Sequence, residues 1–149
     1  MTDIWLPHVT VAAVTEQDGK FLFVEEQADR SLVLNQPAGH WEANETLMDA
    51  ATRETLEETG YHFQPTALIG VYHWPHPTKD ITYLRFAFCG AVVGFDADRA
   101  LDAGIVRAVW LTPDELTTHS VRHRSPLVLR CVEDYLAGKR YALDLLTHF

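Results

Sequence analysis

Glu54, Glu57 and Glu58 stand at i, i+3 and i+4 within Thr46 to Thr59, a stretch without Pro or Gly that is rich in Ala, Leu, Met and Glu. That composition predicts a helix, stopped by Gly60. At about 100° per residue, with Leu47 as zero, Glu58 falls near ~20°, Glu54 near ~340° and Glu57 near ~280°, beside Ala51 at ~40° and Ala50 at ~300°. A helix that merely shows charge to water puts its acids opposite its apolar stripe. Here the carboxylates share the apolar side, so they point at the interior or at a cleft. Three like charges at this spacing repel one another, and a hard divalent cation, magnesium or manganese, removes the repulsion because both prefer oxygen ligands. The bland alternative is a solvated acidic helix end in which Arg53 pairs with Asp49 or Glu57.

The elements that must position these residues follow from turn and cap signals. Apolar runs at Val9–Val14 and Phe21–Val24 flank Gln17-Asp18-Gly19 and predict a β-hairpin. Ser31–Leu34 reads as a short strand that enters Asn35-Gln36-Pro37-Ala38-Gly39-His40, a loop leading into the helix. Ala67–Trp74 and Ile81–Phe88 are strand-like and predict an antiparallel pair across Pro75–Asp80. A polar loop, 96–104, precedes a strand at Ile105–Leu111; Thr112-Pro113-Asp114-Glu115 then opens a short helix, and Ser125-Pro126 a last one running to Ala137. The sum is an α/β chain, a mixed sheet covered by helices, and residues 1–149 read as a single domain.

A formal charge of −9, from 12 basic and 21 acidic side chains, excludes a nucleic-acid groove or an anionic membrane surface as the expected partner. A polyanionic ligand then needs a bound cation. Met1-Thr2-Asp3-Ile4-Trp5 has no basic, then apolar, leader pattern and no long apolar run follows, so cytoplasmic residence is the expectation. Cys89 and Cys131 have no metal-like spacing and read as packing thiols. Both a monomer and a homodimer are compatible with the chain.

From Gly39 the chain reads GHWEANETLMDAATRETLEETGY. This resembles the Nudix signature Gly-x5-Glu-x7-Arg-Glu-U-x-Glu-Glu-x-Gly-U, with U a bulky apolar residue: Gly39, Glu45, Arg53, Glu54, Glu57, Glu58 and Gly60 fit, and Tyr61 takes the last apolar place. Thr55 departs from the usual aliphatic residue, although its methyl can pack. The box spans 39–61, and the order of elements resembles the whole Nudix domain, an α/β/α sandwich. Pro7–Val14, Asn35–Leu47, Tyr83–Phe88 and Arg124–Val128 are more narrowly similar to the bacterial NudJ-type phosphatases.

The resemblance implies that Glu54, Glu57 and Glu58 ligate magnesium (or manganese), with the carbonyl of Gly39 as a further ligand. It also implies that Arg53 orients carboxylates, Glu45 or Glu54 among them. The general base comes from the box acids or from a later loop, where Asp102 is the acid nearest before Trp110 and a candidate metal or water ligand. Lys79 and Arg85, and Arg122 or Arg124, could meet phosphate oxygens. Trp41, Tyr72 and Trp74 could stack on a heterocycle, against a prior of core packing. His40 and His73 are expected to flank the cleft as polar lining. The implied activity is magnesium-dependent hydrolysis of a nucleoside di- or triphosphate, or of a thiamine-precursor pyrimidine diphosphate, with release of orthophosphate. The competing readings are a pyrophosphohydrolase, a non-catalytic nucleotide sensor and a diphosphate isomerase; the chain keeps every box acid and places no cysteine near the box.

Overall fold

The glutamate-bearing helix, α1 (Leu47–Thr59), begins and ends on local signals. Thr46 caps it by accepting the Asp49 amide at 3.0 Å, and the Asp49 carboxylate accepts the Thr46 amide in return, which satisfies two otherwise orphaned donors. Gly60, at φ 79, closes it in the left-handed region that a side chain would make costly. This computed structural model describes residues 3–149; Met1 and Thr2, part of the expected leaderless start, lie outside the described residues.

Two four-stranded sheets carry the rest. The first has the order β5 (Ala38–His40), β1 (His8–Val14), β7 (Thr82–Phe95), β6 (Tyr61–Pro75), with β1 parallel to β7 and the other pairs antiparallel. The second is antiparallel: β3 (Lys20–Ala28) pairs with β2 (Glu16–Gln17), β4 (Ser31–Asn35) and β8 (Ile105–Leu111). Among the described residues there are three α-helices: α1, then α2 (Pro113–Thr118), capped by Thr112 and Glu115, and α3 (Leu127–Leu136). Among the described residues no helix is long and apolar enough to cross a membrane.

One expectation needs correction. The run Val9–Val14 does not pair with Phe21–Val24; the hairpin at Asp18-Gly19 joins only β2 to β3, and β1 lies in the other sheet. The reason is burial on both faces. Val11, Ala12, Ala13 and Val14 are all within 1% of complete burial, which demands a central strand with cover above and below. The Asn35–His40 segment also differs from a plain loop, since Ala38–His40 pairs with the edge of β1. The second hairpin is present and longer than expected at its open end, where β6 starts at Tyr61 and β7 runs on to Phe95.

The first sheet is the middle of a sandwich. On one face Val11, Ala13, Leu68 and Phe88 meet Ala50 and Ala51 of α1; on the other Ala12, Val14 and Ala87 meet Phe21 and Phe23 of the second sheet and Val128, Cys131 and Val132 of α3. Small residues on α1 let the helix lie close to the sheet. Thr55, wholly buried, satisfies its hydroxyl on the Ala51 carbonyl at 2.7 Å, which is how a polar residue is tolerated where an aliphatic one is usual. Both cysteines are free and buried, and burial pushes their thiols up.

Candidate active site

The packing of Ala50 and Ala51 on β1 fixes the rotation of α1 about its axis, and that rotation aims its acids. Glu54 and Glu58 are buried, and Glu57 stands at the margin. Carboxylate oxygens of Glu54, Glu57 and Asp102 lie within 4.8 Å of one another. Asp102 is brought there by the loop before β8, whose backbone is tied to the helix: the Asp102 amide donates to the Glu57 carbonyl at 3.0 Å and the Asp96 amide to the Gly60 carbonyl at 2.8 Å.

Glu58 does not join that group of three. Its carboxylate accepts the Ala38 amide at 2.9 Å, tying α1 to β5. Gly39, the next residue, lies so close to Glu54 that a Cβ there would overlap the carboxylate. Glycine is therefore required by close approach, and the Glu54 head and the Gly39 backbone share one small volume.

Arg53 gathers the box acids. Its Nε and Nη2 donate to the two Glu45 oxygens at 2.9 and 2.8 Å, Nη1 donates to Glu54 at 2.9 Å and to Glu57 at 3.2 Å, and Nη2 also reaches the His40 carbonyl at 3.1 Å. Trp41 is held outside, exposed, with its indole N–H on the Glu45 carbonyl at 2.8 Å.

Burial dominates the electrostatics of the site. Burial pushes the Glu54 carboxyl up to about 7 against the opposing pull of Arg53, and pushes Glu58 up to about 9 despite the Ala38 amide. The Arg53 hydrogen bonds hold Glu45 below its ordinary range. An oxygen-only donor set of three carboxylates fits a hard divalent cation and not a soft one.

A cleft of about 570 Å³ opens beside these acids, lined by Gly39, His40, Glu54, Glu58, Trp74 and Lys79 among others, with Arg85 and Arg124. It thus collects about half of the residues singled out from sequence, while Glu57 and Asp102 adjoin it through Glu54. Arg85 lies in it differently from expectation: the guanidinium is buried and donates to Gln36 at 3.0 Å and Asn35 at 3.1 Å, bracing the cleft wall. Three other candidates fall elsewhere. Tyr72 donates to Asp134 of α3 at 2.7 Å, His73 points from the opposite face of β6 to Trp74, and Arg122 pairs with Glu25 at 3.1 Å. His40 meets His8 at 3.1 Å, and burial first, then His8 and Arg124, holds its imidazole below the ordinary value.

Sequence reasoning missed Glu26 and Tyr83, which also line the cleft. Tyr83 stacks on Trp74 at 5.8 Å and 18° as its cross-strand neighbour. The signal for Glu26 was present: Glu25-Glu26 closes an otherwise apolar strand, a costly place for acids without partners.

Comparison with known proteins agrees with this geometry. The NUDIX domain matches residues 6–130. The chain is 41% identical over 143 residues to Phosphatase NudJ of Escherichia coli (strain K12), covering 96% of this chain and 92% of that protein. A solved NUDIX hydrolase from Nitrosomonas europaea is 54% identical and superposes with a TM-score of 0.95 over 97% of this chain and 98% of that one. A UDP-X diphosphatase, 18% identical, shares the fold with a TM-score of 0.75, over 95% of this chain and 68% of that one. The chain therefore belongs to the Nudix family, as a hydrolase of phosphoanhydride bonds in small phosphorylated molecules that works with a divalent metal.

Proposed function

We propose that the protein removes the terminal phosphate, as orthophosphate, from nucleoside di- and triphosphates or from a pyrimidine diphosphate of the thiamine-precursor type. The observation that carries this reading is the juxtaposition of Glu54, Glu57 and Asp102 with a cleft of about 570 Å³ that has room for a small phosphorylated heterocycle. The similarity to a protein named a phosphatase supports the choice of bond.

Glu54, Glu57 and Asp102 would hold the cation, with Glu58 and the Gly39 carbonyl beside them. Bound there, magnesium or manganese would supply neutralisation of phosphate charge and acidification of water. The chain's own residues do the remaining work. Arg53 holds Glu45, Glu54 and Glu57 at fixed distances, so their oxygens need no rearrangement during the reaction. A box carboxylate or Asp102 takes the proton of the attacking water. Trp74 offers a flat, half-buried face to the organic part of the substrate, and Lys79 an exposed cation in the cleft lining.

Hydrolysis in oxygen-18 water tests the bond. Attack at the terminal phosphorus puts the label in orthophosphate and leaves the organic product unlabelled. Label in pyrophosphate, or in a monophosphate formed directly from a triphosphate, would instead establish a pyrophosphohydrolase, and metal binding without turnover of any di- or triphosphate would establish a sensor.

A further inference from the structure

The lining of the cleft includes Glu26, Asp29, Glu42, Glu54 and Glu58 against the cations Lys79, Arg85 and Arg124. A polyanion entering it needs positive groups with donors to spare. Arg85 has little to offer, being buried and bonded to Gln36 and Asn35. Lys79 stands exposed on the turn between β6 and β7 and loses side-chain freedom on every contact it makes. Arg124 differs from both. Its amide donates to the Leu34 carbonyl at 2.9 Å, which fixes its backbone on β4, and its side chain is 51% exposed in the cleft.

One Nη of Arg124 is engaged by Glu26, whose side chain is only 11% exposed. Successive residues of a strand face opposite ways: Glu25 takes Arg107 and Arg122, and Glu26 turns to the cleft. A guanidinium carries five N–H donors in a planar fork that suits phosphate, so one bond to Glu26 orients the fork and leaves the others free.

We propose that Arg124 binds a non-bridging phosphate oxygen of the substrate, and that Glu26 is the positioning residue that aims it. The inference deepens the proposed function, since it rests on a phosphorylated molecule occupying this cleft. It assigns to the segment after α2 a direct part in selecting phosphate esters by charge. Arg124 lines the same cleft as Gly39, His40 and Glu54.

The test is titration of a methylene-bridged ADP analogue into the magnesium-loaded protein, beside steady-state kinetics on ADP. Arg124→Ala should weaken binding by about 10- to 100-fold, the range for a hydrogen bond to a charged group. Arg124→Lys should recover only part of that, because a single ammonium lacks the fork, and added guanidinium at low millimolar concentration should partly restore Arg124→Ala. Glu26→Gln should weaken binding by a smaller factor, and Arg124→Ala/Glu26→Gln should bind no worse than Arg124→Ala alone, as expected when one residue acts through the other. If Arg124→Ala fails to fold, Arg124→Gln carries the same comparison. Binding and kcat/KM unchanged in the folded Arg124 variant overturn the proposal, and so does a Glu26 effect that persists in full without Arg124. Release of pyrophosphate by the parent protein overturns the proposed bond but leaves this binding comparison readable.

Discussion

Arg53 and Glu45 form a two-point pair, Nε to Oε2 at 2.9 Å and Nη2 to Oε1 at 2.8 Å, eight residues apart in sequence. The pair clamps the loop before α1 against the second turn of the helix, and Glu45 Oε1 also accepts the Glu42 amide at 2.9 Å. With two of its nitrogens so occupied, the guanidinium presents Nη1 to Glu54 and Glu57 in one geometry.

Replacing Arg53 by Lys should therefore cost far more than a conserved charge suggests, because an ammonium cannot serve Glu45 bidentately and reach Glu54 at once. We expect kcat to fall by about 100-fold, the scale of an ångström misplacement of reacting groups. Near-parental kcat in Arg53→Lys, measured at saturating magnesium, would remove the carboxylate-orienting role.

Glu57→Gln and Asp102→Asn should each lower kcat/KM by about 100-fold or more, as expected when a cation worth several kcal/mol of transition-state stabilisation is weakened. Folding stability without metal should stay level or rise, since each change relieves repulsion among Glu54, Glu57 and Asp102. Thermal melts in EDTA beside magnesium titrations check both halves. Asp102→Asn with full activity and unaltered magnesium dependence would take the loop out of the site.

Gly39→Ala places a methyl where the Glu54 carboxylate lies. Displacing that carboxylate should reduce turnover by about 100-fold and shrink the melting-temperature gain from magnesium. Gly104→Ala is the comparison: its φ of 91 strains any side chain, but nothing lies within 4 Å of the added carbon, so it should lose stability and keep its magnesium response. Equal magnesium responses in the two variants would refute the close approach.

The pH dependence follows from Glu54, raised to about 7, and Glu58, raised to about 9, in both cases first by burial. A carboxyl whose folded pKa lies above its ordinary value of 4.5 favours the fold while protonated. That contribution is complete below the ordinary value and is lost as pH rises through 7 and then 9. In EDTA the melting temperature should thus fall across the range from neutral to alkaline pH, and the gain on adding magnesium should grow over the same range, because a cation binding only the folded state offsets the charged acids. A flat profile in EDTA would contradict the burial of these two carboxyls.

The sequence by itself determined whatever depends on neighbours along the chain. The stop of α1 at Gly60, the caps of α2 at Thr112 and Glu115, and the shared face of Glu54, Glu57 and Glu58 are consequences of helical period and cap chemistry, legible within about four residues in each direction. The spacing from Gly39 to Tyr61 was specific enough to identify the family for the same reason: a box built on one loop and one helix is a local object.

Only the tertiary structure decided which strands meet and what stands across the cleft from the helix. A turn at Asp18-Gly19 announces a hairpin, but it cannot reveal that Val11–Val14 is buried on both faces and is taken instead by β7, seventy-five residues further on. Asp102 joins Glu54 and Glu57 through a backbone bond to the Glu57 carbonyl, and Glu26 meets Arg124 across two elements. Glu58 turns to the Ala38 amide because β5 adds to the edge of β1. Each of these contacts joins residues far apart in the chain, so its partners are set by packing and not by periodicity.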